Sequence, residues 1–239
     1  MFYVGTSGFN YVEWIGRFYP DGQKRSELLK YYAAQFNSVE INYTFYRLPL
    51  AKTLTQWATQ TPPEFRYSFK APRQITHSAK LKDCAAAVER FYAALGDLLP
   101  LGALLFQLPP SVKRDLALLA DFLAILPAGS RNAFEFRDAS WFDDSIYAAL
   151  HEHNAALCIA DSPALSTPPM VTADFGYLRL RNEGYALADI ERWARIATEL
   201  AVHWRDTYVY FKHEDLATGP RFATHFLAQL TAPASAAGV

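Results

Sequence analysis

Short runs of β-branched and aromatic residues alternate along the chain with longer segments whose apolar positions recur at helical spacing. Eight runs read as strands: Phe2–Ser7, Ser38–Tyr46, Arg66–Ala71, Gly102–Leu108, Asn132–Arg137, Ala155–Asp161, Gly176–Arg181 and Asp206–Lys212. Between most of them lies a segment with one apolar face. Leu28, Leu29, Tyr32, Ala33 and Phe36 make such a stripe, and Leu54, Trp57 and Ala58 a shorter one. Val88, Phe91, Tyr92 and Leu95 repeat the spacing, as do Leu116, Leu119, Ala120 and Leu123. Ile146, Ala149 and Leu150 give a weaker version within Asp143–His151. Ile190, Trp193, Ala194 and Ala197 form another stripe, and Phe222, Phe226 and Leu230 mark the last helix. Ser162–Asp174 carries Pro163, Pro168 and Pro169 and has no stripe, which predicts a loop in place of the sixth helix.

Strands separated by helices favour parallel pairing, because parallel neighbours need crossovers. Eight such units close most simply into an α/β, (β/α)8 TIM-type barrel. An open doubly wound sheet is the alternative. Its first strand would usually lead into a Gly-rich turn and a helix, whereas GTSGF here runs into the aromatic segment Asn10–Tyr19. The expectation is one barrel domain over residues 1–231, with a poorly ordered tail over residues 232–239.

Strand side chains alternate between faces, so the polar positions can be sorted. Glu40 and Asn42 share a face, as do Ser68 and Lys70, and Glu135 and Arg137. Arg179 and Arg181 share one with Tyr177, and Lys212 shares one with Tyr208 and Tyr210. Gln107 and Asp161 close their strands. All lie toward the C-terminal ends of their strands, where barrel active sites are built. Burying a charge is costly unless it is paired. The set is therefore either a ring of structural ion pairs or a functional site.

Charge sharpens this choice. The chain of 239 residues has a formal net charge of −1, so no global basic field points to a nucleic-acid coat. Yet Lys70, Arg137, Arg179, Arg181 and Lys212 outnumber Glu40, Glu135 and Asp161 by two at the predicted mouth. A locally basic cleft suggests an anionic small molecule. In that reading Glu40, Lys70, Glu135 and Asp161 are the candidate catalytic groups. Asn42, Gln107, Arg137, Arg179, Tyr210 and Lys212 are the candidate substrate-binding groups. Lys70 could also act as an amine nucleophile. No cofactor is implied. A divalent metal on Glu40, Glu135, Asp161 and His213, with His77 as an extra ligand, is the alternative, as in xylose-isomerase and apurinic-endonuclease barrels. A third reading is nucleic-acid binding, with Trp14, Phe18, Tyr19, Phe45, Tyr46 and Trp141 as stacking platforms. Gly5 and Gly8, flanking Thr6 and Ser7, could offer backbone N–H groups to an anion.

Cys84 and Cys158 have no CxxC neighbour or metal-ligand spacing, which fits structural thiols in a reducing compartment. With no basic leader followed by an apolar run and no membrane-length stretch, the expected location is cytoplasmic.

Several longer segments carry a family resemblance: GTSGFNYVEWIGRFYP, ELLKYYAAQFNSVEINYTFYRLP, FKAPRQITH, LLFQLPPS, EFRDASW and YVYF. Together they are similar to the family called domain of unknown function 72, over Phe2 to about Leu230. The resemblance implies a (β/α)8-type barrel and carries no settled activity. The family's recurrent polar positions match Glu40, Asn42, Lys70, Gln107, Glu135, Arg137 and Asp161. The chain departs at Arg179-Leu180-Arg181-Asn182, where members often read Arg-Leu-His-Gly, and at Lys212-His213-Glu214, where many carry asparagines.

Overall fold

The computed structural model describes residues 1–96, 99–212 and 216–231. Eight parallel strands run in the order β1-β8-β7-β6-β5-β4-β3-β2. They are β1 Phe2–Thr6, β2 Ser38–Ile41, β3 Arg66–Lys70, β4 Leu101–Gln107, β5 Asn132–Glu135, β6 Ala156–Asp161, β7 Phe175–Leu180 and β8 Asp206–Phe211. Helices α1 Leu28–Gln35, α2 Ala51–Ala58, α3 Ala85–Leu95, α4 Leu116–Ala124 and α5 Asp144–Glu152 connect the first six strands. Helix α6 Leu187–Leu200 joins β7 to β8, and α7 Thr218–Thr231 follows. No helix stands between β6 and β7, as the proline-rich stretch predicted. The tail expected to be poorly ordered, and His213, lie outside the described residues.

The stripes become the buried helix faces: Leu28, Leu29 and Tyr32 on α1, Val88, Phe91 and Leu95 on α3, and Ile190, Trp193, Ala194 and Ala197 on α6. Asp115 and Asp143 fix the starts of α4 and α5, accepting from the N–H groups of Leu118 and Ser145.

The ring closes differently at the β1–β2 seam from elsewhere. There the backbone makes one isolated bridge, Ser7 to Glu40. Side chains supply what the ladder lacks. Val4 N–H donates to Asn37 Oδ1 at 2.8 Å, and Asn37 Nδ2 donates to Phe2 O at 2.8 Å. Thr6 N–H donates to the Tyr32 hydroxyl at 2.7 Å, which donates onward to Ser38 O at 3.1 Å. Gly5 permits this approach, because a Cβ there would fall 1.9 Å from Ser38 O.

Alternation divides the apolar residues into two cores. The outer one, between sheet and helices, includes Val4, Val39, Phe69, Phe106, Phe134, Ile159, Leu178 and Val209. The inner one fills the barrel with Tyr3, Tyr177, Tyr208 and Tyr210 on one side and Ala103, Ala133, Ala156, Cys158 and Ala160 on the other. Large rings thus face small side chains, which is how a closed barrel reaches crystal-like packing. Four tyrosines in an interior demand hydrogen-bond partners. Tyr210 OH meets Ser38 Oγ at 2.6 Å and Ser68 Oγ at 2.8 Å.

Two expectations need correction. The second strand ends at Ile41 rather than Tyr46, because Asn42 turns the chain (φ −93°, ψ −13°) into a 3₁₀ turn over Tyr43–Phe45. Thr44 anchors that turn by donating to Lys70 O at 2.6 Å. The GTSG segment offers no free N–H for an anion. Thr6 N–H is taken by Tyr32, Ser7 N–H by Phe211 O and Gly8 N–H by Thr6 O.

Candidate active site at the barrel mouth

Above the tyrosine layer the inward positions become charged. At its centre Arg179, 1% exposed, bridges two carboxylates. Its Nη2 donates to Glu40 Oε1 at 2.7 Å, and its Nη1 donates to Glu135 Oε2. Glu40 also accepts from Ser7 Oγ and Tyr177 OH, each at 2.8 Å, and from Asn42 Nδ2 at 3.1 Å. Glu135 accepts from Arg137 Nε at 2.7 Å. These contacts tie β1, β2, β5 and β7 together.

The electrostatics follow from the geometry. Burial pushes both carboxyls upward, but Arg179 more than offsets it. Tyr177 and Ser7 help hold Glu40 below the usual carboxylate range. Arg137 and Arg181 help bring Glu135 down to about 2. Both are therefore anions at neutral pH, poorly suited to carry a proton themselves.

Lys70, at the end of β3, behaves differently. Its ammonium makes no ion pair or hydrogen bond with the described residues, and rests 4.2 Å from the centroid of the Phe45 ring. Burial and then the nearby Arg179 lower its pKa to about 8, against the weaker pull of Glu135 and Glu40. Arg181 likewise forms no side-chain ion pair with the described residues, and burial and Arg179 lower its pKa. Arg137 is 38% exposed and faces the opening. His77 packs edge-on against Phe45 at 4.8 Å; burial and then Lys70 lower its pKa. A ring of cations thus surrounds two carboxylates that one arginine has already claimed.

The predicted residues divide cleanly. Glu40, Asn42, Lys70, Glu135, Arg137 and Arg179 converge. Gln107 sits beside Glu135 in the β4–β5 register, with its amide donating to Leu108 O at 3.0 Å. Tyr210 is fully buried one layer below, spent on Ser38 and Ser68. Lys212 pairs with Glu183 instead of joining the cluster. Asp161 points to the helix layer, where it accepts from Tyr185 OH at 2.5 Å and Trp193 Nε1 at 3.1 Å. It shares parity with Leu157 and Ile159, both in the outer core, so its side was legible in the sequence. Of the proposed stacking rings, Trp14, Tyr19 and Trp141 are buried, while Tyr46 is 82% exposed at the rim. Among the described residues no three His, Cys, Asp or Glu side chains gather as a metal ligand set.

Sequence reasoning missed Ser7 and Tyr177 as partners of Glu40, although Tyr177 shares the face of Arg179. Phe45, expected at the mouth only as a stacking ring, is the apolar wall beside Lys70. A cavity of about 430 Å³ opens alongside, lined in part by Gly8, Tyr11, Asn42, Trp57 and Gln60. Asn42 joins it to the cluster through Glu40.

The family model "Protein of unknown function DUF72" matches residues 3–237. The chain belongs to this family. It is 31% identical over 169 residues to the UPF0759 protein YecE of Escherichia coli K12, a match covering 68% of this chain and 60% of that one. It therefore spans about three fifths of that relative's length. A DUF72 family protein from Thermotoga maritima superposes with a TM-score of 0.87 at 29% identity, covering 96% of this chain and 99% of that chain. One from Enterococcus faecalis gives 0.81 at 17% identity, covering 98% and 97%, and shows the shared fold. The DUF72 fold of this chain is thus a nearly closed TIM-type barrel. Among its described residues no helix is long and apolar enough to cross a membrane.

Proposed function

We propose that this DUF72 barrel is an enzyme that binds an anionic small molecule, phosphorylated or carboxylated, at its mouth and acts on it by acid–base chemistry. Arg137 and Arg181 hold the anion, and Lys70 is the group that exchanges a proton. The observation that carries this reading is the division of labour around Arg179. Glu40 and Glu135 are both engaged by one buried guanidinium, and among the described residues Lys70 and Arg181 have no carboxylate partner. A partly desolvated cation gains most from an anion that arrives from solution. The roles expected of Glu40 and Glu135 shift accordingly. They orient Arg179 and keep negative charge beneath the cations, and do not themselves donate protons.

The test is thermal stability of metal-stripped protein against phosphorylated metabolites, sugar acids, oligonucleotides and divalent metals, because a ligand of the native state raises Tm by mass action. One anionic class should raise Tm without metal, and Arg181→Ser together with Arg137→Ser should abolish the shift. A shift with a divalent metal alone, or an anion shift unchanged in that double variant, overturns the reading.

A further inference from the structure

Resting on that reading, we infer that the substrate class is an anionic carbonyl compound, and that the Lys70 amine attacks its carbonyl carbon to form an imine. Three features of the site converge on this. The amine stands at the end of β3 with no acceptor among the described residues, although two carboxylates lie in the same layer. Arg179 withholds both of them, so the nitrogen lone pair becomes available without first breaking an ion pair. The wall beside the amine is the Phe45 ring, which holds the ammonium by a weak cation–π contact but offers no hydrogen bond, so nothing on that side engages the nitrogen lone pair once the proton has left. Arg137 and Arg181 stand at the same mouth and would take the carboxylate or phosphate of the same molecule. That places the anion on the guanidiniums and leaves the carbonyl for the amine.

Partial desolvation strengthens the hold of Arg181 on an anion, but a guanidinium keeps its charge, whereas an amine can give up its proton. Lys70 is set where the charge is opposed by burial and by Arg179, and its pKa falls to about 8, which leaves a usable fraction of free amine near neutral pH.

The step balances simply. Lys70 Nζ, as the free amine, adds to the carbonyl carbon, forming a C–N bond and turning the carbonyl oxygen into a hydroxyl with a proton from nitrogen. Loss of that hydroxyl as water, with a second proton taken from nitrogen or solvent, leaves C=N. No electrons are gained or lost, and no further reactant is needed.

Reductive trapping tests this on the intact protein. Wild type is incubated with sodium cyanoborohydride and one of three probes: pyruvate, glycolaldehyde phosphate, or acetone as a neutral control. The products are digested with trypsin and mapped. A reduced adduct on Lys70 blocks cleavage there and joins Tyr67–Lys70 to Ala71–Arg73 in one peptide. The expected result is one dominant adduct in that peptide with an anionic probe and little with acetone. Its rate should rise through about pH 8. Lys70→Arg should abolish it, and Arg137→Ser with Arg181→Ser should erase the preference over acetone. Whether pyruvate or glycolaldehyde phosphate reacts distinguishes a carboxylate from a phosphate substrate. Labelling spread over surface lysines and unchanged by Lys70→Arg overturns the inference, as does absence of any Lys70 adduct. Calorimetry with both anionic probes on wild type separates the two levels. Binding without an adduct removes the imine and leaves the anion site standing. No binding by any anionic class removes the anion site as well.

Discussion

Arg179 and Glu40 meet at 2.7 Å between Nη2 and Oε1, joining β7 to β2 across the barrel interior. The same guanidinium reaches Glu135 on β5, so one fully buried cation holds two fully buried carboxylates. The arrangement stands only as a set. Removing one partner of a buried ion pair typically costs about 3–5 kcal/mol, because the remaining charge has nowhere to go.

Arg179→Met should therefore destabilise the barrel by roughly 3–5 kcal/mol at neutral pH, measured by urea unfolding. Without the guanidinium both carboxyls should titrate higher, so the gap between variant and wild type should narrow as the pH is lowered. A gap independent of pH would show that Arg179 contributes by packing alone.

Acid stability of the wild type follows from the same contacts. Glu135 titrates near 2 in the folded protein, below its unfolded value, and Glu40 is also depressed. Their contribution is complete above the ordinary carboxylate range, about pH 4.5, and is lost as the pH falls toward the folded value. Glu135→Gln should flatten that acid limb in equilibrium unfolding.

Lys70 shifts stability in the alkaline range with the opposite charge type but the same slope. Its folded pKa, about 8, lies below the ordinary lysine value of 10.5, so between the two the unfolded chain binds more protons. Stability should rise with pH across that window in the wild type and less so in Lys70→Met. Parallel profiles for the two proteins would place Lys70 in ordinary solvent.

The β1–β2 seam offers a separate test. Asn37→Ala leaves Val4 N–H and Phe2 O without partners at a nearly ladder-free edge. The loss should be about 1–3 kcal/mol for the unsatisfied groups, with faster hydrogen exchange at Val4 than at strands β7 and β8. Anion binding at the mouth should be little changed.

Asp161→Asn distinguishes a buried structural carboxylate from a catalytic one. Its oxygen serves Tyr185 and Trp193 on the helix side. Stability should fall by about 1.5–3 kcal/mol, the range for hydrogen bonds to a charged group, while the anion-induced Tm shift persists. Loss of that shift at unchanged stability would return Asp161 to the mouth.

The sequence by itself determined the barrel and the end at which its polar residues gather. Strand and helix periodicities are local, and they placed the strands at Phe2, Arg66 and Asp206 and the missing helix at Ser162–Asp174. Parity also fixes the side of Asp161, since Leu157, Ile159 and Asp161 share one face and the first two are plainly apolar. What no local pattern decides is which charge meets which. Arg179 finds Glu135 44 residues away and Glu40 139 residues away, and Lys212 turns to Glu183 on a loop. Those choices decide which carboxylates are already paired and which amine has no partner among the described residues. They depend on distances across a closed barrel and on how far each group is removed from water, and both come into being only when the strands close.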